Sequence, residues 1–158
     1  METKILYYKI FEKKVEPIDY VNWACEMLAN GISSTSLNIL SSLREPLNIF
    51  EVEDYFYRAV KEIDIQEPSH EYCAKYFIRY LLKQIIDDEY KAIDNAYEIY
   101  KVIREHFIND EWNVWYEISE MIDDYQFGDN VMNITGKSLI SSIVNEANKQ
   151  LKLNFLLN

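Results

Sequence analysis

The side chains that most often carry metal or nucleophilic chemistry are scarce here, with two histidines and two cysteines among 158 residues. Glu67 and His70 have the Glu-x-x-His spacing of a ferritin-like di-metal site, but such a site needs two of these motifs and two further glutamates. We therefore expect no metal. His106 lies near the predicted end of a helix, where a surface imidazolium interacts favourably with the helix dipole. Cys25 and Cys73 are 48 positions apart among apolar residues, which favours buried free thiols over a disulfide or a metal pair.

Three short polar stretches contain residue types found in catalytic or binding loops but lack the rest of the pattern. Residues 33–36, Ser-Ser-Thr-Ser, are more simply a helix cap than a nucleophile. Residues 136–138, Gly-Lys-Ser, match the end of a Walker A loop, yet the earlier glycine and the preceding strand are missing. Residues 87–89, Asp-Asp-Glu, lack the alternating carboxylates and central glycine of an EF-hand loop. We expect no catalytic residue and no cofactor.

The strongest chemical signal is an uneven distribution of charge. The formal net charge is −11, from 27 acidic and 16 basic side chains. From Glu105 through Gly136 the sequence contains eight acidic side chains and no Lys or Arg. A charge this negative disfavours nucleic acid and anionic membranes, because both repel it. The same physics favours a basic protein as the partner.

One predicted helix within this window concentrates the charge. Winding the residues after Asp110 at about 100° per residue separates an apolar side from a polar side. The side predicted to face the core consists of Val114, Trp115, Ile118, Met121, Ile122 and Tyr125. We define the acidic face as the aromatic and acidic side chains on or beside the other side, and predict that it binds a partner: Trp112, Tyr116, Glu117, Glu120, Asp123 and Asp124. Exposed aromatics beside carboxylates are typical interface anchors.

Two interpretations of the acidic face stay open. It is either a solvated surface, neutralised by other helices or by Lys137, Lys149 and Lys152, or a docking surface for a cationic protein. The precedent for docking is the acidic helical immunity protein that blocks a basic nuclease toxin, and antitoxin-like inhibitors use the same physics. Mimicry of the DNA backbone would require acidic residues over a longer surface than one helix.

Two other function classes are alternatives. One is an enzyme or small-ligand binder with a cleft between helices, where some of the 13 tyrosine hydroxyls find partners. The tyrosines that would line such a cleft are Tyr76, Tyr80, Tyr97 and Tyr100. The other is a scaffold that self-assembles by burying Trp112 and Tyr116 between copies. The sequence does not determine the oligomeric state.

The elements that position these residues are predicted to be helices. Three glycines and three prolines are too few for a turn-rich β fold, and the apolar spacing is helical nearly throughout. Pro17 at a helix start and Gly31 as a helix stop frame one element, Ser33 and Ser34 are both candidate caps of the next, and Thr135 can cap the last. The predicted helices cover about 3–14 (5–11 being aromatic enough for a strand), 17–30, a short stretch after Ser34 with Leu37, Leu40 and Leu43 inward, 48–64, 68–88, 90–107, 110–125 and 135–153.

These elements predict an all-α fold. About eight helices would form stacked helical hairpins or an irregular bundle, in a single domain over residues 1–158. No sequence period recurs and no linker marks a second domain. The first residues lack the basic-then-apolar layout of a signal peptide, and no stretch approaches about 18 uncharged apolar residues, so a cytoplasmic protein is expected.

A set of residues between positions 20 and 65 carries a family resemblance. The set is Trp23-Ala24, Met27-Leu28, Gly31, Ser36-Leu37, Ile39-Leu40, Leu43, Glu51-Val52, Tyr55-Phe56, Ala59 and Glu62-Ile63. In these residues the chain resembles a group of uncharacterised bacterial helical proteins, and a weaker similarity runs from Ile93 to Arg104. The group has no settled activity. The resemblance implies an all-helical bacterial protein of the cytoplasm and assigns no functional residue.

Overall fold

The computed structural model describes residues 1–107, 113–131 and 133–153. This part of the chain contains eight α-helices, one short 3-10 helix and no β-strand, which confirms the all-α class and excludes the strand alternative near the start. The helices are α1 (Thr3–Phe11), α2 (Pro17–Ala29), α3 (Thr35–Ser42), α4 (Ile49–Glu62), α5 (His70–Asp87), α6 (Ala92–His106), α7 (Asn113–Gln126) and α8 (Gly136–Lys152), with the 3-10 helix Glu89–Lys91 before α6. None of these helices combines the length and apolar character needed to cross a bilayer.

The helix ends follow from local residue chemistry. The Ser34 side chain accepts a backbone N–H bond in the first turn of α3, and Thr135 and Ser138 form a reciprocal capping box at the start of α8. Helix α2 begins at Pro17, whose fixed φ and missing N–H suit a first helical position. It ends before Gly31, which has a φ of 81°, a left-handed conformation that glycine adopts without steric cost.

The chain divides into two compact units, Met1–Cys73 and Ala74–Asn158. The single domain remains a prediction, and each unit is described by itself. In the first unit α2, α3 and α4 pack against one another and α1 packs against α2. Aromatic rings fill its core, because the centroids of Tyr7, Tyr20 and Trp23 lie 5.5, 5.2 and 4.9 Å from that of Phe56. All four side chains are buried.

Two carboxylates of the first unit connect helices. Asp19 is buried and accepts bonds from Lys9 Nζ at 2.8 and 2.9 Å, which join α1 to α2. Glu62, at the end of α4, accepts the hydroxyl of Ser36 at 2.6 Å and its backbone N–H at 2.9 Å, in the first turn of α3. These bonds hold the pKa of Glu62 below its usual range, because they favour the charged form. Both carboxylates are therefore structural.

The cysteines are free and differ in environment. Cys73 is buried as predicted, and burial raises the pKa of its thiol to about 11, so that it stays protonated at neutral pH. Cys25 is exposed, which corrects the prediction of a buried thiol. Its apolar neighbours Trp23 and Ala24 occupy the buried side of α2. Cys25 follows them by one residue, and the helical rotation per residue directs its side chain toward solvent.

In the second unit α6 packs against both α7 and α8, and α7 packs against α8. Trp115 of α7 is fully buried, and its indole N–H donates to Oε1 of Gln150 on α8 at 3.0 Å. A buried indole N–H without an acceptor would cost about 1–3 kcal/mol. This bond therefore helps to determine which side of α7 faces inward.

Candidate functional site

The acidic face lies on the outer side of α7, as its helical spacing predicts. The buried side of the helix includes Trp115, Ile118 and Ile122. Glu117 and Glu120 are exposed, and the Tyr116 side chain is 53% exposed. Asp123 and Asp124 are half-buried. The sixth predicted member, Trp112, lies outside the described residues, as does the predicted cap Asp110.

Three positions predicted to face the core are less enclosed than expected. Val114 and Met121 are half-buried, and Tyr125 is exposed. The Tyr125 hydroxyl lies 2.9 Å from the point that a Cβ on Gly136 would occupy. The ring thus reaches the first residue of α8 at the edge of the unit, where solvent remains in contact with it.

The carboxylates at the centre of the acidic face lack basic partners in the described part of the chain. Glu117, Glu120 and Asp123 form no ion pair there. Asp124 differs, because its Oδ1 accepts the backbone N–H of Val131 at 3.4 Å. Like charges at these helical spacings cost a few tenths of a kcal/mol per pair. No cation among the described residues offsets this repulsion through an ion pair with Glu117, Glu120 or Asp123.

The three lysines considered as neutralising partners, Lys137, Lys149 and Lys152, form no ion pair with the acidic face among the described residues. Lys149 Nζ lies 3.4 Å from Oε2 of Glu146, one turn earlier on α8. Lys137 and Lys152 are exposed, and neither forms an ion pair with the residues that the structure describes. Charge compensation by these three lysines, one of the two interpretations left open by the sequence, is therefore not found in the described chain.

A groove between α6 and α7 adjoins the acidic face. Its volume is about 420 Å³. We call it the α6/α7 groove, and its walls include Ile93, Asp94, Tyr97, Ile122, Asp123 and Phe127. Phe127, directly after α7, is 82% exposed. Asp123 belongs to both surfaces, so the groove and the acidic face are continuous.

Aromatic rings extend along the contact between α6 and α7. The centroids of Tyr97 and Tyr100 are 6.0 Å apart, and those of Tyr100 and Tyr116 are 6.1 Å apart. This row connects the exposed Tyr116 of the acidic face to the wall of the groove. Sequence periodicity identifies each ring, but only the pairing of α6 with α7 brings the three together.

Two cations of α6 already lie over these rings. Lys101 Nζ is 5.2 Å from the ring centroid of Tyr97 and 3.0 Å from Oε2 of Glu98. The guanidinium carbon of Arg104 is 5.6 Å from the ring centroid of Tyr100. An aromatic face with a neighbouring carboxylate is an environment that attracts a cation. The row of tyrosines therefore has the chemistry to bind positive charge.

The other candidate residues are distributed differently. Of the four tyrosines proposed for a ligand cleft, Tyr97 lines the α6/α7 groove. Tyr76 and Tyr80 lie on α5, where the Tyr80 ring stacks on Phe77 with centroids 6.1 Å apart. The predicted cleft is thus represented in this groove by a single tyrosine.

The polar stretches singled out in the sequence make structural contacts. Asp88 caps the 3-10 helix through a bond from the backbone N–H of Tyr90 at 3.2 Å, and it pairs with Lys91 at 3.3 Å.

His70, the histidine of the Glu-x-x-His spacing, contacts a carboxylate far away in the sequence. Its Nε2 lies 2.8 Å from Oε1 of Glu12, 58 positions earlier. That contact has no signal in the sequence, because it depends on the packing of the segments that carry the two residues.

Comparison with known proteins gives no match. No family model matches the chain, and no curated protein or solved structure matches it either. The resemblance to bacterial helical proteins therefore stays a prediction. The evidence for a function therefore lies in the site itself.

Proposed function

We propose that the chain is a non-enzymatic protein-binding module whose acidic face docks with a basic protein. One observation carries the proposal: Glu117, Glu120 and Asp123 have no ion-pair partner in the described chain. A helix face with only a structural role would usually include Lys or Arg to relieve the repulsion between these groups. Tyr116, exposed beside them, offers the kind of aromatic contact that interfaces use as an anchor.

Among protein-binding functions, an immunity or antitoxin-like inhibitor suits this surface best. Such an inhibitor covers the basic site of its target and needs an acidic surface held by a folded scaffold, with no catalytic group of its own. We propose a cytoplasmic location, because an exposed free thiol such as that of Cys25 is typical of proteins in a reducing compartment.

The test is capture of the partner by the immobilised protein from a lysate of its own host, at about 50 mM and about 500 mM NaCl. We expect a basic protein to bind at low salt and to be released at high salt, because the carboxylates are exposed. The double variant Glu117→Lys/Glu120→Lys should lose that protein even at low salt.

A matched variant separates the acidic face from overall charge. Glu67 and Asp87 are also exposed, and Glu67→Lys/Asp87→Lys changes the net charge by the same amount through residues that are not part of α7. We expect this control to keep the captured partner. If Glu117→Lys/Glu120→Lys retains every protein that the unaltered chain captures, the proposal is wrong.

A further inference from the structure

We propose that the α6/α7 groove is the pocket that anchors the partner, and that its occupant is an amphipathic segment of the basic protein presenting arginine beside an apolar side chain. This inference rests on the proposed function, because it names the part of the partner that the acidic face and the adjoining groove recognise. It goes beyond that function because it adds a pocket with apolar walls to the charged surface that would bind the partner.

The groove combines negative charge with apolar walls. Its lining carries three carboxylates, of Asp94, Glu98 and Asp123, against one ammonium group, of Lys101. The apolar walls come from Ile93, Ile122 and Phe127. A cation with an apolar stem satisfies both features, because the stem packs on the walls while the charged head reaches the carboxylates.

Arginine suits this lining better than lysine. Its guanidinium is planar and weakly hydrated, it stacks on aromatic rings, and it bonds carboxylates through two donors at once. The groove offers both kinds of partner, the ring of Tyr97 and the carboxylates of Asp94 and Asp123. The guanidinium carbon of Arg104, 5.6 Å from the ring centroid of Tyr100, makes a cation–π contact of this kind within the chain.

Lys101 of this chain already makes the contacts that we expect the partner's cation to make. Its ammonium is held by the Glu98 carboxylate at 3.0 Å and lies 5.2 Å from the Tyr97 ring centroid. An incoming guanidinium would compete with it for the same carboxylate and the same ring. Removal of the Lys101 charge should therefore strengthen binding of a basic segment.

The partner's apolar side chain, which lies beside its arginine, would pack on Phe127. Phe127 exposes 82% of its side chain, and it lines the groove together with Asp123 of the acidic face. A helical partner places residues three and four apart on one side, so it can set an apolar side chain on Phe127 while arginines reach the carboxylates.

The test measures binding of a dye-labelled synthetic peptide of about 15 residues that repeats Arg and Leu on one helical face. A second peptide replaces every Leu by Ser, and arginine amide serves as a small cation. We expect the Arg/Leu peptide to bind about fivefold more tightly than the Arg/Ser peptide. Phe127→Ala should weaken its binding about fivefold, and Lys101→Met, which keeps the apolar stem, should tighten it about threefold.

Two control variants match these changes elsewhere in the chain. Phe50 on α4 is 78% exposed, so Phe50→Ala removes an equally exposed ring. Lys91 pairs with Asp88 at a distance of three residues, as Lys101 pairs with Glu98, so Lys91→Met removes a comparable cation. Both should bind the Arg/Leu peptide like the unaltered protein. Circular dichroism and thermal unfolding confirm that each variant folds.

The outcomes distinguish this inference from the proposed function. If Phe127→Ala and Lys101→Met bind like their controls while Glu117→Lys/Glu120→Lys loses the peptide, the groove assignment is wrong and the docking function stands. If Glu117→Lys/Glu120→Lys also binds like the unaltered protein, the docking function fails. Arginine amide binding as tightly as the peptide would overturn the inference in favour of a small-cation site.

Discussion

Glu62 shows how one carboxylate can hold two helices through bonds that depend on pH. It ends α4 and accepts two bonds from Ser36 at the start of α3, 26 positions earlier. Its pKa is lowered in the folded protein, chiefly by the bond from the Ser36 hydroxyl. The ionised group therefore stabilises the fold at pH values above its unfolded pKa, and this stabilisation is lost as the pH falls through the folded pKa.

We expect Glu62→Gln to lower the free energy of unfolding at neutral pH, because the amide makes weaker bonds to Ser36 than the carboxylate does. The difference between the unaltered protein and the variant should shrink as the pH falls from neutral through the lowered pKa of Glu62, because protonation then removes the charge of the native side chain too. Urea unfolding across this range measures it. Glu51→Gln, an exposed acid on the same helix, should show a smaller change with pH, and a constant gap for Glu62→Gln would contradict the linkage.

The acidic residues of helix α7 repel one another and so lower the stability of the helix. Glu120 has carboxylates three or four residues away on the same helix, at positions 117, 123 and 124. Glu120→Lys converts these like-charge spacings into opposite-charge spacings. We expect the free energy of unfolding to rise by about 0.5–1 kcal/mol, while capture of a basic partner falls. Urea unfolding of the isolated protein and the capture assay measure the two effects.

Asp87→Lys is the control for the two effects expected of Glu120→Lys, a higher free energy of unfolding and weaker capture of a basic partner. Asp87 is exposed at the end of α5, and a lysine there interacts favourably with the helix dipole while every residue of the acidic face stays unchanged. It should leave capture unchanged. The gain from Glu120→Lys should also diminish at about 500 mM NaCl, because salt screens exposed charges. A loss of stability in Glu120→Lys at low salt would show that the acidic spacing is not the source of strain in α7.

The helix ends marked by a cap or stop residue could be predicted from the sequence, whereas the end of α1, predicted at about 14 and found at Phe11, and most of the site could not. The signals at Pro17, Gly31, Ser34 and Thr135 act within one helical turn, so the residues next to them are sufficient to locate the ends. The outward direction of the acidic face is local in the same way, since it follows from 3.6 residues per turn.

The α6/α7 groove depends on which helices pair, and periodicity contains no such information. Tyr97 and Asp123, 26 positions apart, line one cavity only because α6 packs against α7. The bond between Trp115 and Gln150 spans 35 positions for the same reason. The wrong predictions at Cys25 and Tyr125 concern residues near the edge of an apolar stripe, where the neighbouring helix decides whether solvent reaches the side chain.

Across the whole molecule the negative charge is shared between the two compact units. Residues 1–73 carry 13 acidic and 7 basic side chains, and residues 74–158 carry 14 acidic and 9 basic. The net charges are thus −6 and −5, so the acidic face is a local concentration of charge in a protein whose two units are both negative overall. On the proposed function, overall charge would attract a basic partner from a distance, whereas the acidic face would act after contact.

The two double variants separate these contributions, because both Glu117→Lys/Glu120→Lys and Glu67→Lys/Asp87→Lys change the net charge from −11 to −7. We expect both to slow association with the captured basic partner to a similar, modest extent at low salt. Only the α7 variant should also accelerate dissociation, by about tenfold or more, because it removes groups that touch the partner. Stopped-flow or surface-based kinetics from about 20 to about 500 mM NaCl measures both rates. If the two variants dissociate equally fast, overall charge alone holds the partner and the acidic face has no specific role.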